Sequence, residues 1–284
     1  MSTQSAFFSP VVSDDKNLTP AAHAVEANLR AAMRGYSFVG GASDTCDYPG
    51  LCVTSCGFNS AVFNAAMLTT AGVGRAEVDD FIRVAHDHYT EKSLGWTFWL
   101  CDDLVRATAR PRMTALFRKH GMHVVARAPG MYTDGISERS RASVSLRFRR
   151  INDEATRLDF AHLSSAIFAL PFTVARRIYG SAPFWTGPIS GWVAYSQGHA
   201  VSIVTVVIGS GVAGVYSLGT LPQHQGRGFG EAVLRHALET TCRETGISIS
   251  VLQATRQGMC LYQRLGYRVV TTFSVFLKEG NSPV

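Results

Sequence analysis

Gln225-Gly226-Arg227-Gly228-Phe229-Gly230 is the stretch on which the reading of this 284-residue chain turns. It follows an apolar run closed by Leu221-Pro222 and enters the helix-forming sequence Glu231 to Thr245, so it reads as strand, tight glycine turn and helix N-terminus. A helix N-terminus presents unpaired N–H groups and a partial positive charge, which suit a phosphate. Glycine lets the backbone come close to an anion, and Arg227 adds charge. The first expectation is therefore a phosphate-bearing ligand held by the C-terminal part of the chain. Two familiar phosphate loops do not fit. The dinucleotide fingerprint needs glycine three residues after Gly228, where Glu231 stands, and no Gly-Lys-Ser/Thr triplet follows.

Downstream, Ile247 to Gln253 alternates as a strand and Thr255-Arg256-Gln257-Gly258 breaks it. Met259 to Leu265 reads as a short helix ended by Gly266-Tyr267, and Arg268 to Leu277 as a terminal strand. The Q-x-x-G-x-G turn, followed at this distance by Leu261-Tyr262-Gln263-Arg264-Leu265-Gly266-Tyr267, resembles the GCN5-related N-acetyltransferase (GNAT) superfamily. The resemblance implies an α+β / α/β fold of two GNAT-like domains, each with its own mixed, mostly antiparallel central sheet flanked by helices. It also implies acetyl-CoA or another acyl-CoA as co-substrate, with Leu218, Gly219 and Thr220 along the pantetheine arm. Gln225, Gly226, Arg227, Gly228, Phe229, Gly230 and Glu231 would surround the pyrophosphate. A backbone N–H near Leu218 would stabilise the oxyanion, and Tyr262 would protonate the leaving thiolate.

The pattern departs from the family in two places. Many members carry a glutamate on the strand before the turn, but Val212 to Leu221 holds no acidic residue, and Tyr216 and Ser217 fill the corresponding positions. His86 and His88 read as helix residues of surface or core, His224 as facing solvent or phosphate, and Cys260 as pointing away from the face of Tyr262. Thr255 stands where many members place a coenzyme-contacting asparagine.

Upstream, residues 1–20 read as a loose polar arm. Helices are expected at Ala21 to Met33, Glu77 to Tyr89 and Arg112 to His120, and strands at Leu51 to Ser55, Val62 to Leu68, Trp96 to Leu100 and Met122 to Ala126. Helix, Gly121 and strand echo helix, Gly266 and strand, with Phe117 where the second half has Tyr262. The half at 21–140 has no Q-x-x-G-x-G turn and resembles the degenerate first domain of tandem GNAT proteins. The catalytic domain is expected at 144–284, with Ser145-Leu146 opening its first strand, a helix over Asn152 to Phe168, and a meander over 191–195, 200–208 and 214–221. Ile178 to Trp185 is a candidate acceptor wall or, equally, core.

A 46% hydrophobic and 17% charged composition describes a folded globular chain. No apolar stretch reaches a span's length of about 18 residues, and Met1-Ser2-Thr3-Gln4 lacks a signal peptide's basic start, so no membrane contact and a cytoplasmic location are expected. The charge of +6 suits coenzyme A, and also tRNA. The densest basic run, Arg139, Arg141, Arg147, Arg149 and Arg150, reads as a solvated connector. Cys46, Cys52 and Cys56 lack a knuckle spacing and a neighbouring histidine in sequence, so no metal is expected. The sum is an acyl-CoA-dependent N-acyltransferase acting on a small-molecule primary amine. The alternatives are an aminoacyl-tRNA-dependent transferase, a protein N-terminus or lysine as acceptor, or a non-catalytic CoA-binding regulatory module. The acceptor and the oligomeric state carry no motif.

Overall fold

The computed structural model describes residues 18–37, 42–138 and 144–280. The arm through residue 17, Arg139 and Arg141 lie outside them. Helix α1 (Pro20–Tyr36) is capped by Thr19, whose hydroxyl accepts the N–H of Ala22, with Pro20 in the first turn where no N–H is needed. Strands β1 (Asp44–Tyr48), β2 (Leu51–Ser55) and β3 (Ala65–Leu68) follow, then α2 (Arg75–Thr90), β4 (Trp96–Cys101), α3 (Met113–Lys119) and β5 (His123–Thr133). The second half runs β6 (Arg147–Arg150), α4 (Glu154–Phe168), α5 (Phe172–Tyr179), β7 (Ile189–Ser196), β8 (His199–Gly209) and β9 (Val212–Thr220). It ends with α6 (Phe229–Thr245), β10 (Ser250–Gln253), α7 (Met259–Arg264) and β11 (Arg268–Lys278).

The eleven strands of the described residues form one sheet in the order β1-β2-β3-β4-β11-β5-β10-β9-β8-β7-β6. Its pairings are antiparallel except β3 with β4 and β9 with β10. The sheet is thus mixed, mostly antiparallel and flanked by helices, as expected. A clean split into two sheets is not what the chain forms. β11 lies between β4 and β5, and β5 lies between β11 and β10, so each half inserts its last strand into the other's pairing. The runs β3-α2-β4-α3-β5 and β9-α6-β10-α7-β11 have the same order, each with a parallel strand pair around its first helix.

The alternation of β8 shows how the second half is layered. Ile203 and Val207 pack with Phe160 and Tyr179 on one face, whereas Val204 and Val206 meet Val233 and Leu234 of α6 on the other. Both faces are buried, which is why β8 reads as a nearly continuous apolar run. Helix α1 lies across the middle of the sheet and joins the halves. Asn28, fully buried, donates to the carbonyls of Val207 (3.1 Å), Gly209 (3.1 Å) and Val212 (3.2 Å), and accepts from the Tyr216 hydroxyl (2.8 Å).

Several sequence expectations need correction. The strand expected from Val62 begins at Ala65, because residues 61–63 form a turn. Ile247 to Ile249 lie outside β10, and β6 starts at Arg147 rather than Ser145. The strand at Met122 to Ala126 continues through Pro129-Gly130 to Thr133. Pro129 pairs with Thr272 beside the register shift between Val269 and Thr271, an irregularity of the kind where a strand proline is tolerated, and its carbonyl accepts the Ala254 N–H at 2.8 Å. Gly130 is required by packing, since a Cβ would lie 2.5 Å from Thr271 and 2.9 Å from Val25.

Candidate active site

Strand β9 builds the floor of the site. It pairs with β10 only at Ala213 and Gly214, and beyond them the two strands part. On its other side the register with β8 shifts between Thr205↔Tyr216 and Ile203↔Gly219, so Ser217 and Leu218 together oppose Val204. The bulge is anchored by Ser217, a non-glycine residue at φ +48°. Its hydroxyl meets those of Tyr36 (3.1 Å) and Tyr179 (3.0 Å), which come from α1 and α5.

The mouth is the glycine turn. A short 3-10 turn, Pro222–His224, leads to Gln225, whose side-chain amide donates to the Thr220 carbonyl (3.2 Å) and accepts from Gln257 (3.2 Å). Gln225 thereby ties the end of β9 to the loop after β10. Gly226 and Gly228 adopt φ of +74° and +80°, which side chains resist. A Cβ on Gly226 would have nothing within 4 Å, and one on Gly228 only Val144 at 3.8 Å. Their backbone therefore borders open space. Gly228 opens α6 with no side-chain cap, leaving that helix's first N–H groups for an anion. Glu231 in the first turn is neutralised by Arg235 (2.9 Å), a buried guanidinium that also donates to the Ser137 carbonyl (2.7 Å). Arg227 lies over the Phe229 ring, 4.9 Å from its centroid, and next to His224.

These features enclose a cleft of about 620 Å³. Leu218, Gly219, Thr220, Gln225, Gly226, Gly228, Phe229, Gly230, Glu231 and Tyr262 all line it; Arg227 does not. The opposite wall comes from Thr255 to Gly258, Leu261 and Arg264, and Ile167 and Phe168 close one end. Tyr262 packs against Gly258, where a Cβ would fall 2.7 Å from the tyrosine Cε2. Burial pushes the Tyr262 phenol up to about 12, so it stays protonated at neutral pH and has a proton to donate.

Sequence reasoning singled out Tyr216, Ser217 and the segment of Tyr179 but missed the network that Tyr36 and Asn28 complete behind β9. Tyr36 and Tyr179 are buried and Tyr216 half-buried, and loss of solvent raises the pKa of all three phenols. Tyr216 is spent on Asn28 and Ser217 on the two tyrosines, so neither is a base. No pattern in the sequence links residues this far apart. Ile178, Tyr179 and Phe184 are core, packed with Tyr36 and Phe160 rather than exposed to the cleft.

The first half holds a second glycine turn, Gly72-Val73-Gly74 before α2, which lacks the leading glutamine. Gly72 has φ +73°, close to Gly226. Here the equivalent space is filled. Val73 is bridged to Val105, its N–H bonds the Leu104 carbonyl (3.0 Å), and its carbonyl accepts from Arg106 (2.9 Å). Glu77 caps the Gly74 N–H at 3.1 Å, and Phe117 stacks on Phe276 at 3.8 Å.

Among known proteins, residues 188–269 match the acetyltransferase (GNAT) domain family. No curated protein sequence matches the chain. Among solved structures, a GCN5-related N-acetyltransferase from Kribbella flavida superposes with a TM-score of 0.66 at 17% identity, covering 90% of this chain and 96% of that one. A GCN5-related N-acetyltransferase from Sphaerobacter thermophilus gives 0.55 at 16% identity over 83% and 78%. A tandem GNAT protein from the clavulanic acid biosynthesis pathway gives 0.55 at 13% identity over 95% and 97%. The chain has the fold of the GNAT-superfamily acetyltransferases.

Proposed function

We propose that the protein is an N-acyltransferase that moves an acyl group, acetyl in the first instance, from acyl-CoA to a primary amine of a small molecule. The observation that carries this reading is the uncapped α6 N-terminus. Behind two left-handed glycines bordering open space, it sits at the mouth of a cleft whose floor is a bulged strand with one edge freed and whose wall carries Tyr262. That backbone fits a pyrophosphate, and the freed edge of β9 fits an amide-bearing arm. Within a tandem arrangement, residues 21–140 form the half without a working cleft and residues 144–284 the catalytic half. The repeated element order and the filled turn at Val73 support this division.

Acyl-CoA bound there supplies an activated thioester carbonyl and a thiolate leaving group. Gly226, Gly228 and the first turn of α6 hold the phosphates, and Leu218 to Thr220 align the arm. At the Ser217-Leu218 bulge, the Leu218 N–H is the donor nearest the expected oxyanion as the amine attacks and the C–N bond forms. Tyr262 donates its proton to the sulfur as the C–S bond breaks and regains one from water, which has taken up the proton of the amine. Among the described residues lining the cleft, Glu231 is the only carboxylate and it is committed to Arg235. The amine's proton therefore passes to water, and the free base is the reactive form.

The basic run does not favour an RNA partner. Arg149 pairs with Asp153 (2.5 Å) and Arg150 with Glu244 (2.8 Å). The decisive experiment is a thermal-shift titration of the full chain with acetyl-CoA, longer acyl-CoA thioesters and aminoacyl-tRNA, followed by turnover on an amine panel. A rise in Tm with a CoA thioester and acylated amine product are expected. Absence of any shift with every thioester rejects the donor, and binding without turnover favours a CoA-sensing module.

A further inference from the structure

We propose that Asp44, Cys46 and His88 form a zinc site that clips the edge strand β1 to helix α2. Asp44 and Cys46 are two apart on β1 and so share a face, and α2 brings His88 over them. One donor atom from each lies within 4.8 Å of the other two. Spacing in the sequence does not disclose the set, because the histidine that joins Cys46 lies on another element, far along the chain.

The His88 side chain is only 6% exposed, and its Nε2 faces Asp44 Oδ1 at 3.5 Å. Among the described residues neither atom has a hydrogen-bond partner. Buried polar atoms are rarely left this way, and two of them aimed at one point mark a place for a shared ligand. An ion ~2.1 Å from both would subtend roughly 110° at the metal, the tetrahedral value. Cys46 Sγ stands 4.0 Å from the other carboxylate oxygen, within a small rotamer change of the third position. Burial favours the neutral imidazole, the form that ligates. A thiolate, an imidazole and one carboxylate select zinc over magnesium or calcium and leave a fourth position for water.

The competing cation is Lys92, one turn beyond His88, whose ammonium pairs with Asp44 Oδ2. It is partly exposed on a flexible stem and can swing to solvent. Glu91, which follows the end of that helix, adds negative charge near His88, and the Tyr48 phenol lies beside Cys46 on the strand side. Cys52 and Cys56 take no part, since both are buried and burial pushes their thiols up to about 11.

The test is titration of the chelator-stripped full chain with Zn²⁺ and Co²⁺, with folding of every variant checked by circular dichroism. One equivalent of zinc and a thiolate-to-cobalt charge-transfer band are expected. Cys46→Ser, near-isosteric and partly exposed, should abolish the band and weaken binding about 100-fold, and His88→Gln should weaken it comparably. Lys92→Met should tighten binding roughly tenfold by removing the competing charge. Absence of zinc and band in the native chain overturns the site, as does binding that survives both Cys46→Ser and His88→Gln. A Lys92→Met protein that loses stability and binds no metal also overturns it, and leaves a plain ion pair. Acyl transfer is not a readout, so the outcome is independent of the proposed activity.

Discussion

Tyr262 and the glycines around it make the sharpest demands on single residues. Tyr262→Phe keeps the ring that packs on Gly258 and removes only the hydroxyl, so kcat should fall by about 10²-fold with KM for acyl-CoA nearly unchanged. Gly258→Ala keeps the hydroxyl but drives a Cβ to 2.7 Å from Cε2, so it should also lower kcat, by about tenfold through displacement. Gly226→Ala meets no neighbour but must hold φ +74°, at a strain of about 1–2 kcal/mol. KM for the donor should therefore rise about 10-fold while kcat stays close to native. With no free carboxylate in the cleft and Tyr262 protonated up to about 12, kcat/KM should climb through the amine's own pKa. It should show no descending limb up to about pH 10. These residues could be read from sequence because a turn, a helix start and a tyrosine one helical turn before a glycine are local features. Ser217 could be located but its role could not, because Tyr36 and Tyr179 reach it from two other helices.

Elements outside the motif hold it in place. Helix α1 belongs to the first half, yet its Asn28 gathers carbonyls from both strands of the β8–β9 hairpin that delivers the glycine turn. Asn28→Ala strands these buried groups and should cost about 2–3 kcal/mol in urea unfolding. Helix α6 carries a pH-dependent contact: His236 stacks on Phe148 of β6 at 4.3 Å, and burial lowers its pKa from 6.5. The folded state thus binds fewer protons than the unfolded chain just below pH 6.5. The contribution is complete above that pH and is lost as pH falls through the lower folded value. A His236→Phe protein should show a flatter decline in Tm from pH 7 to 5 than the native chain. Period and caps made most helices legible, α6 above all. β5 was cut short because Pro129-Gly130 is a sound local stop signal, overridden here by a close packing of α1 that only the tertiary fold reveals.

At the scale of the molecule, the exchange of β5 and β11 makes the two halves one cooperative unit. Trp96 and Trp99 report on the first half, and Trp185 and Trp192 on the second. Proteins keeping only one pair should unfold at the same denaturant midpoint once each substitution's own effect on stability is subtracted. Two separated transitions would show that the halves fold apart. The sequence disclosed the repetition, through Gly121 and Gly266, but not the crossing. Strand pairing across a sheet leaves no mark in periodicity, and β5 and β11 would read the same in either sheet.

That crossing also sets an order of events during synthesis. β4 and β5 flank a slot that only β11 fills, and β11 is the last strand of the sheet to be made. Ribosomes add about 5–20 residues per second, so the slot stands open for on the order of ten seconds while the second half emerges. Throughout that interval the apolar residues of β4 and an unpaired strand edge are offered to any neighbouring chain. Yield of soluble protein should therefore depend on how fast the ribosome travels between the two exchanged strands, a region where silent codon changes alone would shift it.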